Sequence, residues 1–191
     1  MPLFDEPIII LPNTNQFPPI NPNAVYGTSG NDVIGLSQPK LVFAGGGNDV
    51  VFGSAGNDTI YGGTGDDIIV GAAGDDKLYG DSGNDRLYAG LGSDSMFGGA
   101  GNDRLYVDPG DNTNAFADLA SGGSGIDTLI LTNANAGSLR LFSAEGVSDQ
   151  ILYWTETTNG QVINQSIIIN SVEFVELGPS TIIAVDTIQS V

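Results

Sequence analysis

A nine-residue pattern repeats seven times without interruption between Ala44 and Tyr106, and it constrains this chain more than any other feature. The copies begin at positions 44, 53, 62, 71, 80, 89 and 98. Every copy has glycine at its fourth position, aspartate at its sixth and an apolar residue at its eighth. Three residue classes that stay in phase over such a stretch indicate a solenoid, in which each repeat adds one unit to a stack.

The order of residues within a copy predicts a six-residue turn followed by a short strand. Glycines early in the copy allow backbone angles that other residues adopt only at a cost. The last three residues are mostly β-branched or aromatic around an apolar centre, which predicts a three-residue strand with its centre facing inward. Two copies, 18 residues, would form one coil, and stacked coils would bury the eighth-position residues. One buried wall would be Val51, Ile69, Leu87 and Leu105, and the other Ile60, Leu78 and Met96.

The same stacking places the sixth-position aspartates in two columns, one on each edge of the solenoid. Stacked strands lie about 4.8 Å apart, so carboxylates at this spacing repel one another unless a cation lies between them. Oxygen ligands of this kind suit calcium. The chain has no cysteine or histidine, the residues that zinc and copper sites favour. One column would be Asp49, Asp67, Asp85 and Asp103, and the other Asp58, Asp76 and Asp94.

The pattern Gly-Gly-x-Gly-x-Asp-x-apolar-x resembles the calcium-binding nonapeptide of the repeats-in-toxin (RTX) family over residues 27–112, and again from Gly122 to Ile130. The resemblance implies an all-β, right-handed parallel β-roll solenoid that holds several calcium ions, about five to seven. Each ion would take one aspartate and two main-chain carbonyls from each of two turns on one edge. Complete turn pairs begin at 44/62, 62/80, 80/98, 53/71 and 71/89. The implied metal ligands are Asp32, Gly45, Gly47, Asp49, Gly56, Asp58, Gly62, Gly63, Thr64, Gly65, Asp67, Gly71, Ala73, Gly74, Asp76, Gly80, Ser82, Gly83, Asp85, Leu91, Asp94, Gly98, Ala100, Asp103 and Asp127.

Composition indicates which partners are disfavoured and in which environment the chain works. A net charge of −18 disfavours nucleic acid and anionic membranes as partners. An acidic, glycine-rich stretch of this kind predicts disorder in the absence of metal. No apolar run approaches the length of about 18 residues that a membrane span needs, and the N-terminus does not read as a signal peptide. The resemblance implies type I secretion and a secreted or cell-surface location, where millimolar calcium would fill the sites. Residues 185–191 resemble the uncleaved export signal only loosely.

The chain divides into three predicted parts, which are a proline-rich extended arm over residues 1–24, the β-roll over 25–130 and a β-rich C-terminal cap over 131–191. Turn signals at 159–160 and 178–179 separate predicted strands in the cap, and Trp154 is expected in its core. The cap would cover the exposed edge of the last coil. The predicted strands are Ser138–Phe142, Gln150–Thr155, Val162–Ile169, Val172–Leu177 and Thr181–Val185.

Three irregular segments interrupt the repeat. Residues 27–34 form a first copy that is one residue short, and a degenerate copy over 35–43 has Lys40 in place of the aspartate. We hypothesise that the Lys40 ammonium replaces an ion next to Asp58, in which case Lys40→Asp would add one calcium. The alternative is an irregular first coil with an exposed lysine. Between 107 and 121 the repeat decays, with Asn112 at a ligand position and a short helix predicted over 114–120.

Aromatic residues at the ninth position would form ladders on the outside of the roll, because the eighth position points inward. These ladders are either simple stacking along a sheet or a docking surface for a surface polysaccharide or a second copy. An apolar outer patch should be covered by the arm, the C-terminal part or a second molecule. The ladders are Phe43, Tyr61, Tyr79 and Phe97 on one wall, and Phe52, Val70, Tyr88 and Tyr106 on the other. The patch is Val50, Phe52, Ile68 and Val70.

These features favour a calcium-binding structural or binding module over an enzyme. The sequence Gly80-Asp81-Ser82-Gly83 resembles a nucleophile turn, but the chain has no histidine to act as the base. Two alternatives stay open: the calcium-binding tail of a larger secreted enzyme or toxin, and a carbohydrate-binding or adhesion module. Ice binding is disfavoured because the third repeat position lacks a threonine ladder.

Overall fold

The chain forms two parallel β-sheets that face each other, and a computed structural model describes residues 21–107, 118–131, 140–143, 150–158, 161–172, 174–177 and 181–184. No helix occurs among these residues. The chain passes from one sheet to the other after each turn, so consecutive strands of the roll alternate between the sheets. This arrangement confirms the predicted all-β, parallel β-roll architecture.

Each sheet is a long stack of parallel strands that ends in antiparallel strands at its C-terminal side. The first sheet, in spatial order, is β1 (Ala24–Tyr26), β3 (Leu41–Gly46), β5 (Thr59–Thr64), β7 (Lys77–Ser82), β9 (Ser95–Ala100), β11 (Asp118–Ser124), β15 (Gln161–Asn170), β14 (Gln150–Thr158) and β13 (Arg140–Ser143). The second sheet, in spatial order, is β17 (Thr181–Ala184), β16 (Phe174–Leu177), β12 (Thr128–Leu131), β10 (Arg104–Val107), β8 (Arg86–Leu91), β6 (Ile68–Ala73), β4 (Val50–Phe52) and β2 (Val33–Gly35).

The register of the strands confirms the 18-residue coil. Thr59 lies beside Lys77 and Ile68 lies beside Arg86, each pair 18 residues apart. In the first coil Val33 lies beside Val50, 17 residues away, which confirms that the first copy is one residue short. Past residue 107 the spacing between hydrogen-bonded coils rises to 24, so an insertion is accommodated without loss of register.

The strands are longer than predicted. Strand β5 covers the last three residues of one copy and the first three of the next, and Gly63 pairs with Gly45 within the ladder. The predicted six-residue turn is therefore wrong, because its first half is extended and hydrogen-bonded. A glycine has no side chain to separate adjacent coils, so the ladder continues through it.

The two predicted walls form the core of the roll. All seven eighth-position side chains from Val51 to Leu105 are fully buried, as predicted. Ala44 and Ala89 take the place of glycine at the first position, and both are also buried in the cluster. The roll is narrow enough that small residues at the first position fill the space between the walls.

The five strands predicted after residue 131 are all present, with shifts of a few residues at their ends. Strands β15 and β16 pair in parallel with β11 and β12, so both walls of the roll continue into this region. Strands β14 and β17 then pair antiparallel with β15 and β16. The buried Val175 extends the inner core, whereas Trp154 and the two predicted turns lie outside the described residues or side chains.

Several predictions fall on parts of the chain that the structure does not describe. Most of the proline-rich arm, Asn112 and the C-terminal residues 185–191 lie outside the described ranges. The short helix predicted over 114–120 is wrong for its last three residues, because Asp118–Ala120 are in strand β11. In the described part of the chain, the structure contains no helix with the length and apolar character needed to span a membrane.

The outer surfaces carry the predicted aromatic ladders. Ring stacking joins each neighbouring pair of the first ladder, with ring centroids 4.5 to 5.4 Å apart, and Tyr26 extends that ladder by one coil. On the other wall Tyr88 stacks on Tyr106 at 4.2 Å. In the predicted apolar patch, Phe52 is 48% exposed and the neighbouring Val33 is 79% exposed.

Candidate metal centre

The turns bring the sixth-position aspartates into two columns, as predicted. Each aspartate directly precedes the strand that carries a buried wall residue, so its position repeats with the coil. The seven aspartates of the complete copies are all 2% exposed or less. One column is Asp32, Asp49, Asp67, Asp85, Asp103 and Asp127, and the other is Asp58, Asp76, Asp94 and Asp118.

One oxygen of each carboxylate after Asp32 joins neighbouring coils. The N–H of Asp67 donates to Oδ1 of Asp85 at 2.7 Å, and the N–H of Asp85 donates to Oδ1 of Asp103 at 2.8 Å. The same bond recurs along both columns in the same direction. Hydrogen bonds to a charged acceptor are stronger than those between neutral groups, so Oδ1 ties each turn to the turn before it.

The second oxygen is buried without a hydrogen-bond donor in most of the turns. This holds, among the described residues, for Oδ2 of Asp49, Asp67, Asp76, Asp85, Asp94 and Asp103. A buried carboxylate oxygen with no donor is strongly unfavourable unless a cation or a proton compensates it. The pattern is periodic, which indicates that the same kind of partner is required at each of these turns.

Main-chain carbonyls approach the same space as these oxygens. A Cβ atom placed on Gly80 would contact Oδ2 of Asp85 and would lie 2.5 Å from the carbonyl oxygen of Gly98 in the next coil. A Cβ on Gly98 would likewise meet Oδ2 of Asp103 and the carbonyl oxygen of Gly122. A carboxylate oxygen and a carbonyl from the adjacent coil therefore face one small cradle that glycine leaves open, and this donor set fits calcium.

Carboxylates alone do not surround such an ion. In the described part of the chain, no group of three or more histidine, cysteine, aspartate or glutamate side chains converges on a common point. Most ligands of a cation in this cradle would therefore be carbonyl oxygens. This division of ligands agrees with calcium, which accepts carboxylates and carbonyls in one flexible shell, and disfavours zinc.

Some of the predicted carbonyl ligands already accept a hydrogen bond. The carbonyl of Ser82 accepts the N–H of Gly65, and the carbonyls of Leu91 and Ala100 accept the corresponding N–H groups one coil earlier, each at 2.8 Å. A carbonyl oxygen has two lone pairs, so these bonds leave one for a cation. The bonds place each predicted carbonyl against the neighbouring turn of its own column.

Asp118 is a buried column member that the sequence reasoning missed. It is fully buried, and its Oδ1 accepts the N–H of Asp94 at 2.8 Å. The signal was present, because counting back from Gly122 places Asp118 at the sixth position and Ala120 at the eighth. The preceding insertion hid it by separating Asp118 from the glycines of its own turn.

The fifth repeat position forms a second ladder that was also missed. Oδ1 of Asn84 accepts the N–H of Asn102 at 2.9 Å, and Oδ1 of Asp66 accepts the N–H of Asn84 at 2.7 Å. These bonds run in the opposite direction to those of the sixth position. The frequent asparagine or aspartate before the buried aspartate was the sequence signal for this contact, which links exposed turns without any metal.

The hypothesis that the Lys40 ammonium replaces an ion is not supported by the contacts. The main-chain N–H of Lys40 donates to Oδ1 of Asp58 at 2.7 Å. Within the described residues, no carboxylate lies within ion-pair distance of the Lys40 ammonium. Lys40 therefore takes the place of the aspartate through its backbone, and any residue other than proline could make this bond.

Burial makes ionisation of the central aspartates unfavourable. Burial raises the pKa of Asp85 to about 7, against the lowering effect of the hydrogen bond from Asp67, and the charges of neighbouring aspartates raise it further. The pKa of Asp94 is raised to about 7, also chiefly by burial. The same cause raises the pKa values of Asp67 and Asp76 to about 6. Ionisation of these groups in the folded state therefore costs free energy, and a bound cation would compensate that cost.

A comparison with protein families agrees with this geometry. The family model of the RTX calcium-binding nonapeptide repeat, which describes four copies, matches residues 43–78 and again residues 79–113. No curated protein matches the chain. Among solved structures, a subunit of the Azotobacter vinelandii mannuronan C5-epimerase is 22% identical, covers 75% of this chain and 72% of its own, and has a TM-score of 0.37. Residues 43–113 of this protein are RTX calcium-binding nonapeptide repeats.

Proposed function

We propose that this chain is a calcium-folded structural or binding module that works outside the cell or at its surface and has no catalytic activity of its own. The observation that carries the proposal is the periodic row of buried Oδ2 atoms that lack a donor, which belong to Asp49, Asp67, Asp76, Asp85, Asp94 and Asp103. A single such atom could be a local defect, but a repeated one requires a repeated partner. Calcium between successive turns supplies that partner and cancels the repulsion along each column.

The proposed ligands come from pairs of turns on one edge. Between the turns that begin at 62 and 80, an ion would bind carboxylates of Asp67 and Asp85 and carbonyls of both turns. The pairs 44/62, 80/98 and 71/89 repeat this arrangement. The turn at 122–127 supports one more pair with the turn at 98, because the carbonyl of Gly122 faces the cradle beside Asp103.

Calcium binding and folding are coupled in this proposal. The unfolded chain has no preformed site, so the free energy of ion binding becomes free energy of folding. Cytosolic calcium would leave weak sites empty, whereas the millimolar calcium outside cells would fill them. The chain would therefore pass through export unfolded and fold on arrival. This reasoning supports the secreted or surface location and an RTX-type export route.

The chemistry of the chain favours a non-catalytic role. The sequence has no histidine or cysteine to act as a base or nucleophile near neutral pH. The buried aspartates are engaged in turn-to-turn hydrogen bonds, and we assign them to metal. Activity of any larger protein that carries this chain as a calcium-binding portion would reside in another part of that protein.

The stacked rings weigh against the first aromatic ladder as a platform for sugars. Neighbouring rings of Tyr61, Tyr79 and Phe97 are within 6 to 8° of parallel. Each inner ring therefore has its faces covered by its neighbours and presents only its edge. Sugar rings usually pack on aromatic faces, so these contacts favour simple stacking along the sheet over carbohydrate binding.

Circular dichroism of the full chain with calcium and with a chelator tests the proposal. We expect a disordered spectrum in chelator, a β-sheet spectrum in millimolar calcium and no comparable change with magnesium, which prefers a rigid octahedral shell with several waters. Light scattering on the same samples separates folding from association. A chelated chain that keeps its full sheet content and melting temperature would contradict calcium-dependent folding.

A further inference from the structure

The first aspartate of each column differs from the later ones in the partners of its carboxylate. Oδ2 of Asp58 accepts the main-chain N–H of Ser54 at 2.8 Å and the Ser54 hydroxyl at 3.0 Å. Oδ2 of Asp32 accepts the N–H of Thr28 at 2.6 Å and its hydroxyl at 2.9 Å. Because Oδ1 of Asp58 also accepts the Lys40 N–H, both oxygens of this buried carboxylate have donors. We call the contact of Ser54 or Thr28 with the aspartate of its own turn the hydroxyl clamp.

The hydroxyl clamp depends on a different backbone conformation at the second repeat position. Neither Ser54 nor Thr28 has a positive φ, whereas the second residue of the later turns does. Those later residues are Gly45, Gly63, Ala72, Asp81, Gly90, Gly99 and Gly123. The clamp is therefore a property of the turn as a whole, in which both the N–H and the hydroxyl of one residue face the carboxylate.

In the turn of Asp58 the cradle is also altered, whereas in the turn of Asp32 a Cβ placed on Gly27 would still lie 2.9 Å from Oδ2 of Asp32. A Cβ placed on Gly71 or Gly80 would meet Oδ2 of the aspartate in its own turn. A Cβ placed on Gly53 would instead meet the carbonyls of Gly71 and Val70 at its closest contacts. The Asp58 carboxylate is thus drawn toward Ser54 and away from the position that the other carboxylates take.

We infer that the hydroxyl clamps take the place of a cation, so that Asp58 and Asp32 bind no calcium and each column of ions begins after its clamped turn. The inference rests on the proposed function, because it concerns where calcium binding starts. A carboxylate oxygen has two lone-pair directions, and at Oδ2 of Asp58 and of Asp32 the N–H and the hydroxyl of one residue occupy both. This oxygen therefore has no lone pair left to serve as one of the six to eight oxygen ligands that calcium needs. The two clamped turns therefore need no metal to satisfy their carboxylates. They form the end of the roll on which the calcium-dependent coils stack.

Calcium stoichiometry of two matched variants tests the inference. Asp58 and Asp76 lie in the same column and are 2% and 1% exposed. Isothermal titration calorimetry of the full chain should give fewer calcium ions per chain for Asp76→Asn and the natural number for Asp58→Asn. Loss of an ion in Asp58→Asn, as in Asp76→Asn, would overturn the inference.

Replacing the clamp gives the converse test. Ser54→Gly restores the residue that most unclamped turns have at this position, and we expect one additional calcium ion per chain. Ser54→Thr keeps the hydroxyl that Thr28 uses in the first turn, and Ala55→Gly adds the same backbone freedom one residue later. Both controls should keep the natural stoichiometry. An unchanged count in Ser54→Gly would contradict the claim that the clamp excludes the ion.

Amide exchange in the natural chain covers the case in which a variant does not fold. In saturating calcium, the amide protons of Ser54 and Thr28 should exchange slowly, and rapid exchange would overturn the inference. If the natural chain bound no calcium, the proposed function would fail. Slow exchange at Ser54 and Thr28 in the folded protein would then still support the clamp contacts themselves, so the two failures can be told apart.

Discussion

The sixth-position aspartate has a separate role for each of its two oxygens. Oδ1 of Asp85 accepts the N–H of Asp67 and thereby links two coils, whereas its Oδ2 is buried without a donor. Asparagine could supply the first contact, as the fifth position shows with Asn84. A cation, however, requires the negatively charged second oxygen, Oδ2, which an asparagine side chain does not have. This explains why aspartate holds the sixth position in all seven complete copies while the fifth position varies.

The depth of burial predicts unequal effects for aspartates in the middle and at the end of the array. Asp85→Ala leaves the buried N–H of Asp67 without its acceptor and removes a proposed ion ligand, so we expect a loss of about 3 kcal/mol in the free energy of unfolding in calcium. Asp32→Ala should cost about 1 kcal/mol, because Asp32 is only half-buried and its Oδ2 partner Thr28 is exposed. Chemical denaturation in saturating calcium measures both values, and equal losses would argue against the stacked arrangement.

At the scale of the element, the repeat is a strand of six residues joined to a tight turn. The strand continues through the second position because adjacent coils approach closely there. Gly63 has a φ of +105°, and a Cβ on it would meet the carbonyl oxygen of Gly45 in the previous coil. Ala72 and Asp81 adopt smaller positive φ values of 81° and 70° at the same repeat position. The element therefore tolerates a side chain only where the backbone rotates to make room for it.

This geometry predicts that two glycines respond differently to the same substitution. Gly63→Ala should lower the free energy of unfolding in calcium by about 2 kcal/mol or more, from backbone strain and the contact with Gly45. Gly35→Ala is the matched control, because Gly35 is also in a strand but has nothing within 4 Å of its added Cβ and no positive φ. Thermal melts of both variants check the difference. A Gly63→Ala protein as stable as Gly35→Ala would mean that the coils are not packed as closely as described.

For the whole molecule, the net charge is −18, and ten of the 23 acidic residues lie in two columns that only stacking brings together. Each coil contacts mainly its neighbours, so stability is approximately a sum of coil and interface contributions. Repulsion within each column opposes folding, and ions between turns reverse the sign of that contribution. Because the two walls are continuous from β1 to β16, each added coil stacks in the same register, and ions between its turn and the previous one can offset the repulsion in the same way.

The raised aspartate pKa values predict a pH dependence for the calcium-free chain. Folded-state pKa values of about 6 for Asp67 and Asp76 and about 7 for Asp85 and Asp94 lie above the ordinary value of 3.8. Groups with raised pKa values favour the folded state below 3.8, and this contribution is lost as pH rises through about 6 to 7. In chelator, sheet content by circular dichroism should therefore be higher near pH 4 than near pH 8.

Calcium should reverse this pH dependence, because protons compete with the ion for the same carboxylates. With calcium present, sheet content should be retained at pH 8 and the apparent calcium affinity should fall as the pH is lowered through about 6.

The calcium-free prediction has its own contradicting outcome. A chelated chain that is less folded at pH 4 than at pH 8 would contradict the assignment of these carboxylates as buried and uncompensated.

The repeat alone determined the solenoid, the two walls and the two aspartate columns, because a fixed period forces equivalent residues into equivalent positions. From that period follow the burial of Leu87 and Asp85 and the outward position of Tyr79, without any knowledge of distant contacts. The five C-terminal strands were also predictable, because their β-branched runs are bounded by turn signals.

Only the tertiary structure decided the features that depend on contacts between coils. Asp118 joins a column across an insertion, and β15 and β16 continue the walls from a non-repeating sequence. Ser54 and Thr28 close their turns against Asp58 and Asp32, although a serine or threonine at that position carries no periodic signal. The physical reason is that a period fixes where each residue lies within its coil, whereas the partner of each polar atom depends on the conformation of the coils on either side.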